Sequence, residues 1–414
     1  MMTHRFIPAL VAAAFSGDLL AEDNWAQFRG PTGRGHSVST DVPTSWDESK
    51  IAWKADLKGS GQSSPVVWGD QIFLTGASED GTERYVMSLS KKDGSLLWSE
   101  TIASDSPEEI HKMNSRATPS CVTDGENVVA FFGPAGIHCF TTGGEKKWEV
   151  DLGVFAGSWG IAASPIIVDG KVIQNCDSMG VSRLVALNLE DGSEIWSTPR
   201  EEKPRGGWST PILIDTGERQ ELVLNGEFGV RGYDPESGKE LWFCEGFNGR
   251  GAPVPDFHDG KLYVVNGKPG DTYCVKPGGS GDVTKTHRLW NSSRKGGRDL
   301  PSPVVVDGYL FISSMSGIVS CYDAETGDVF YTERLVEEGA VEVAAAPLVV
   351  NGLIYLQTVS GGDVAVIRPG KELDIVSVNS LGMKAKDEIF RATITPTAGQ
   401  LLIRSGTTLY AIGE

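Results

Sequence analysis

Basic clusters are missing from this chain. It has 37 lysines and arginines against 55 aspartates and glutamates, a formal net charge of −18, and no basic run longer than Lys91-Lys92 or Lys146-Lys147. Nothing so arranged neutralises a row of phosphates, so nucleic acid and anionic membrane surfaces are not expected as partners. Long apolar runs are missing as well: the stretch from Phe6 to Phe15, interrupted by Pro8, is ten residues, about half of the ~20 that cross a bilayer. Cysteine is sparse, with six residues, no adjacent pair, no C-x-x-C and no C-x-x-C-H for haem. A G-x-S-x-G nucleophile motif, H-E-x-x-H, an EF-hand loop and a Walker A loop are all absent. Ala156-x-Ser158-x-Gly160 is only a near miss, and Gly30-Pro31-Thr32-Gly33-Arg34-Gly35 resembles a phosphate loop in composition alone.

Glycine, by contrast, is plentiful: 51 of 414 residues, beside 40% hydrophobic residues. Average usage is nearer ~7%. Such a chain has material for a core and is not disordered, and it is neither collagen, coiled coil nor multispan membrane protein. Many short strands are expected instead of long helices.

Residues 1–21 carry His4 and Arg5, the short apolar run, and Ser16-Gly17-Asp18-Leu19-Leu20-Ala21. This pattern reads as a secretory signal cleaved after Ala21. No cysteine lies near that point to take a lipid, so the mature protein is expected to be exported, to the periplasm or cell surface, without a lipid anchor or a transmembrane segment.

One motif recurs: a small residue, Pro, a β-branched run, Asp-Gly or Asn-Gly, and a second apolar strand. The prolines are Pro65, Pro119, Pro165, Pro211, Pro253, Pro303, Pro347 and Pro396, spaced by 42 to 54 residues. Proline cannot donate to a ladder and belongs at the start of an edge strand; Asp-Gly supplies the positive φ angles of a two-residue hairpin. A third strand and a Gly-containing turn follow, with an aromatic residue four positions beyond the Gly: Gly94–Trp98, Gly144–Trp148, Gly192–Trp196, Gly238–Trp242 and Gly327–Tyr331, with Trp290 in the same role behind an insertion, Gly278 to Gly281. Asp93, Asp191 and Glu236 in these turns read as solvated turn formers. Cys139, Cys274 and Cys321 share one strand position in different units, too far apart for disulfides, and are read as small buried apolar residues.

Four-stranded units at this period predict an all-β, eight-bladed β-propeller of antiparallel blades. The eighth unit stops at Leu409-Tyr410-Ala411-Ile412 without a fourth strand, and Ile51-Ala52-Trp53-Lys54 matches the missing one. The last blade is therefore expected to be closed by both termini, with residues 22–50 as an arm packed on a propeller of residues 51–414.

The units Ser302-Pro303-Val304-Val305-Val306-Asp307-Gly308 and Asp323-Ala324-Glu325-Thr326-Gly327 resemble the PQQ-type repeat of quinoprotein propellers. The opening Trp25-Ala26-Gln27-Phe28-Arg29-Gly30-Pro31, with Trp46 and Trp53, is similar to exported PQQ-like propeller proteins. The architecture is shared with BamB-type outer-membrane assembly proteins and quinoprotein alcohol dehydrogenases. The resemblance implies an envelope scaffold that binds a protein or polysaccharide, or else a PQQ- and Ca²⁺-dependent dehydrogenase of alcohols or sugars. Vicinal cysteines and a motif for the metal ligands of the dehydrogenases are absent here, so no catalytic or metal residue is carried over. The expected state is a monomer.

Blade-to-blade connections are the long, irregular loops, and variable loops on a rigid scaffold carry binding. The residues before each repeat proline are expected at the mouth of the central channel: Asn114 and Arg116, Ser158 and Trp159, Arg205 and Trp208, Arg250, Arg298 and Asp299, Glu342, and Arg391. Arg116, Arg250, Arg298 and Arg391 come from four blades and would converge on an anionic or polar ligand, with Trp159 and Trp208 as platforms for a sugar or flat ring. The alternative is that these arginines pair with Glu342, Asp299 and carbonyls, and that the tryptophans plug the channel. His111 reads as an exposed loop residue.

Overall fold

The computed structural model describes residues 24–39, 41–105, 107–180, 182–200, 204–247, 249–266, 271–293, 301–336, 341–383 and 388–413. The proposed signal sequence lies outside them. Eight sheets follow one another along the chain, each built of consecutive antiparallel strands. They form the blades of an all-β propeller: residues 66–103, 122–150, 166–199, 212–245, 256–292, 304–334 and 348–379, with the eighth completed by both ends of the chain. In that last sheet the order is Ile51–Asp56, Thr408–Gly413, Gln400–Arg404, Thr395–Thr397, and Trp53 lies opposite Ala411. Pairing the two ends leaves no open blade to recruit another chain.

The hairpin chemistry expected from Asp-Gly is explicit in the backbone. Asp169, Asp259, Asp307 and Asn351 have φ between 47° and 52°, and the glycines after them φ between 71° and 81°. Both central residues are left-handed, as a type I′ turn requires, and its twist matches that of the flanking strands.

The proline register needs correction in three blades. The inner strands begin at Val66, Val122, Ile166, Ile212, Asp256, Val304, Leu348 and Thr395. The residue immediately before is Pro65, Cys121, Pro165, Pro211, Pro255, Pro303, Pro347 and Ile394. Pro119 and Pro253 thus stand two positions early and Pro396 two positions late. What is structurally equivalent is the residue one step further back, and it is usually a hydroxyl: Ser64, Ser120, Ser164, Thr210, Val254, Ser302, Ala346 and Thr393. These residues are all buried and link neighbouring blades. The amide of Thr393 donates to Ser64 Oγ at 2.9 Å, that of Ser64 to Ser120 Oγ at 2.8 Å, and that of Ser120 to Ser164 Oγ at 2.9 Å. Ser164 donates to Thr210 Oγ1 and Val254 to Ser302 Oγ, both at 3.0 Å. A partial belt of hydroxyls therefore fastens five of the blade junctions near the axis.

The outer seam is made by the tryptophans. A Cβ added to Gly94, Gly144, Gly192, Gly238 or Gly327 would stand 2.3 to 2.9 Å from the indole of Trp53, Trp98, Trp148, Trp196 or Trp290 in the preceding blade. The indole N–H groups of Trp98, Trp148, Trp196 and Trp290 donate to Thr142, Leu189, Pro235 and Ala324 carbonyls in the next blade, at 2.8 to 3.3 Å. The repeated Gly thus makes room for the indole of the blade before it, not for its own. Trp242 departs from this scheme. It packs on Gly232 of its own blade and donates to Glu221 Oε2 at 2.7 Å, because the insertion adds a short strand, Gly281–Asp282, beside it.

All six cysteines are buried and unbridged. Cys139, Cys274 and Cys321 face Trp148, Trp290 and Tyr331 across their strand pairs. Burial pushes the three thiols up to about 12, far from the range in which a thiolate would react.

Candidate functional site

The arm does not lie on the outside. Trp25 pairs with Val67 on the inner strand of the first blade, the Ala26 carbonyl accepts the Thr123 amide of the second, and His36–Ser37 runs parallel to Val349–Val350 of the seventh. Between these points Arg29, fully buried, donates to the carbonyls of Val254 at 3.3 Å and Pro303 at 3.0 Å. The arm so crosses the channel, and Phe28 becomes part of a pocket floor.

A buried carboxylate holds it there. Asp256 accepts from Arg34 Nε at 3.0 Å and from the Val305 amide at 2.7 Å, and His36 Nε2 is 3.6 Å away. Burial alone would raise its pKa; His36, Arg34 and Arg29 outweigh burial and hold it at about 2. A carboxyl depressed from 3.8 contributes stability that is present above about pH 4 and lost as the pH falls through about 2. Between those limits the wild-type unfolding free energy is expected to fall more steeply with acid than that of Asp256→Asn, measured by urea titration at half-unit steps. Parallel slopes would contradict this role.

Above the floor the channel mouth encloses about 180 Å³ of water-accessible space. One wall is an aromatic and cationic stack. His111 lies 4.4 Å from Trp159, the Arg250 guanidinium sits 4.0 Å from the Trp159 ring, and it is 5.7 Å from Trp208. The loops that carry this wall are tied together: Asn114 Nδ2 donates to the Trp159 and Ile161 carbonyls at 2.9 and 3.0 Å, and Trp208 Nε1 donates to the Gly160 carbonyl at 3.0 Å. Across the pocket stands Arg391, which donates through Nη2 to Glu342 at 3.3 Å. Small residues, among them Ala252, Ala344 and Ala346, fill in between, and Ser64, Ser164, Ser302 and Thr393 of the hydroxyl belt also face the space.

Asn114, Trp159, Trp208, Arg250 and Arg391 are thereby brought to one pocket. Arg116 is elsewhere, donating to the Glu79 and Glu108 carbonyls. Arg205 is held by Glu227 at 2.7 Å in a neighbouring cleft. Glu342 reaches the pocket only through Arg391. Arg298 and Asp299 lie outside the described residues. His111 and Arg250 occupy ring surface of Trp159 that a stacked sugar would need. The sequence reading set His111 aside as an exposed loop residue, whereas it stands in the pocket wall, and it passed over Phe28 and the belt hydroxyls. The misplaced register of three prolines hid the hydroxyls, while nothing local in the arm betrays that it enters the channel.

The lining described here contains no carboxylate, and no three His, Cys, Asp or Glu among the described residues gather as a metal site. Calcium takes six to eight oxygens, carboxylates prominent among them. These residues do not fit PQQ with calcium. Among the described residues, no helix is long and apolar enough to cross a membrane.

Comparison with known proteins adds the following. The sequence matches the PQQ-repeat family described as outer membrane protein assembly factor BamB over residues 31–154 and 226–371. An outer membrane protein assembly factor BamB of Alkalilimnicola ehrlichii is 26% identical over 48% of this chain, and the match spans about half, 49%, of that relative's length. One of Burkholderia pseudomallei is 23% identical over 78% of this chain and 90% of its own. Among solved structures, a europium-containing methanol dehydrogenase superposes with a TM-score of 0.70 at 10% identity, covering 95% of this chain and 98% of that one. At that identity the likeness is one of fold alone.

Proposed function

Since the chain belongs to the family of PQQ-type repeat propellers described as outer membrane protein assembly factor BamB, we propose that it is an exported envelope scaffold. On this reading its long-loop face and channel mouth receive an envelope protein. One observation carries the reading: among the described residues the channel mouth gathers the cations Arg250 and Arg391 beside the rings of His111, Trp159 and Trp208, a surface suited to recognition. Exposed apolar side chains in the loops between strands, Val154, Met179 and Phe228, support a protein as the partner, since apolar groups on loops gain by being covered. The signal read in residues 1–21 supports the location.

The test is recovery of the tagged full chain from its native envelope. Defined envelope proteins are expected to be retained by the wild type and lost with Met179→Glu plus Phe228→Glu at unchanged thermal stability. Retention indifferent to those changes would overturn the scaffold reading. So would dye-linked oxidation of alcohols or sugars on addition of PQQ and Ca²⁺, which would turn the assignment toward a dehydrogenase.

A further inference from the structure

We infer that the groove between the fifth and sixth blades, on the face of the hairpin turns, is a binding site for an uncharged saccharide, its ring laid on Tyr309 and Phe330 and its hydroxyls held by Asp307, Asp323, Tyr263 and Lys371. The turns 307–308 and 324–328 stand at the end of the sixth blade opposite its connections to the neighbouring blades. The groove is therefore separate from the channel mouth, and its ligand does not depend on the scaffold reading.

The groove holds about 340 Å³ and is walled by the fifth blade, the sixth, and Lys371 of the seventh. Tyr309 and Phe330 make an aromatic corner, with centroids 5.6 Å apart and planes at 57°. Both rings are half-buried, and Lys371 Nζ lies 5.5 Å from that of Phe330. The polarised C–H groups of a sugar ring are drawn to the negative face of such an aromatic. On the other wall Tyr263 is 2% exposed and its ring is set 6.2 Å from Trp290. Its hydroxyl reaches the groove without a hydrogen-bond partner among the described residues. A hydroxyl left alone in so buried a side chain is costly and points to a group that completes it. Asp323 accepts the Glu325 and Thr326 amides through Oδ1 at 2.8 and 3.1 Å. Its carboxylate is thereby fixed in direction, while Oδ2 and the Asp307 carboxylate have no hydrogen bond among the described residues.

Charge then narrows the class. Glu325 is paired with Lys261, and both signs occur along the groove. An anion would meet Asp307 and Asp323, and a further cation would meet Lys261 and Lys371; like charges brought together cost affinity in either case. A neutral ligand escapes both penalties. An apolar one, however, would strip water from the carboxylates and the ammonium and give nothing back. The ligand must donate to carboxylates and accept from an ammonium and a phenol within one site, and a hydroxyl can do both. Two neighbouring hydroxyls can share the two oxygens of one carboxylate. A sugar ring offers such hydroxyls around its rim and an apolar face for the aromatic corner, so it uses every feature of the groove.

Isothermal titration of the full chain with maltotriose, cellotriose and triacetylchitotriose, and with trigalacturonate and spermidine as charged controls, tests this. At least one neutral trisaccharide is expected to bind one to one with a Kd below about 10 mM, and both charged probes about tenfold more weakly. Tyr309→Ala and Lys371→Ala are each expected to weaken the sugar about tenfold. Tyr263→Phe, which keeps the ring and removes only the hydroxyl, should weaken it about threefold. Lys371 is exposed, so its variant still decides the matter where a tyrosine variant fails to fold. Trp208→Ala, at the channel mouth, should leave the affinity unchanged. Four results would overturn the inference: no heat from any neutral trisaccharide up to about 10 mM, either charged probe as tight as the neutral sugars, affinity unchanged in folded Tyr309→Ala or Lys371→Ala, or binding lost in Trp208→Ala, which would move the sugar to the mouth. Retention of envelope proteins bears on the scaffold reading alone, so the two stand or fall separately.

Discussion

Trp242→Ala is expected to lower the unfolding free energy by about 3 to 5 kcal/mol, the range for truncating a large buried aromatic. Trp242 is completely buried and packs with Val230, Cys244, Tyr273 and Val283, so it joins its own blade, the insertion and the fifth blade in one cluster. Its N–H donates to Glu221, itself fully buried and paired with Arg219 at 2.7 Å. Truncation therefore opens a cavity and also takes a donor from a buried carboxylate, which is costlier than losing the same bond at the surface. Trp242→Phe separates the two effects. It keeps most of the packing and removes only the hydrogen bond, for an expected loss of about 1 to 2 kcal/mol. Urea midpoints measure both; equal midpoints for wild type and Trp242→Ala would refute the assignment.

This residue also shows how far the sequence reached. Spacing four beyond a Gly placed Trp242 correctly on the outer strand of its blade, since strand order follows the chain and each unit carries the same punctuation. It could not say what the indole touches. In four other seams the partner is the glycine turn of the next blade, about 40 residues on; at Trp242 the insertion changes the partner. Ring closure was legible because a missing fourth strand and a spare matching strand must meet. The pocket was legible in part. Trp159, Trp208, Arg250 and Arg391 followed from where blade connections must lie, whereas Arg116 has the same spacing to a proline and turns away to loop carbonyls. Proximity along the chain fixes a side chain's loop, and only tertiary hydrogen bonds fix its direction. That the arm enters the channel was not legible, because its path is set by contacts to the first, second, fifth, sixth and seventh blades or their approaches that no local pattern encodes.

The closure between the last blade and the first carries the other large expected effect. Arg404 lies on the strand Gln400–Arg404 of the eighth blade and is fully buried. It donates to the Ser63 carbonyl at 2.8 Å, to the Ser63 hydroxyl, and to the Thr75 carbonyl at 2.7 Å, all in the first blade or its approach. Gly61 permits the contact, since a Cβ there would stand 2.6 Å from Nη2. Burial lowers the guanidinium to about 9, so it stays charged at neutral pH with carbonyl oxygens in place of a counter-ion. Arg404→Ala deprives two buried carbonyls of donors, at about 1 to 3 kcal/mol each, and leaves a cavity; relief of the buried cation offsets part of this. A net loss of about 3 kcal/mol is expected. Arg404→Met, which fills the space and discards the charge, decides between the opposing terms. If the hydrogen bonds across the seam dominate, Met is destabilising too, and cleavage by a dilute protease between residues 57 and 65 quickens in both variants. If the cost of burying the cation dominates, Met is neutral or stabilising, and the seam is held by the hydroxyl belt and the pairing of Ile51–Asp56 with Thr408–Gly413 instead.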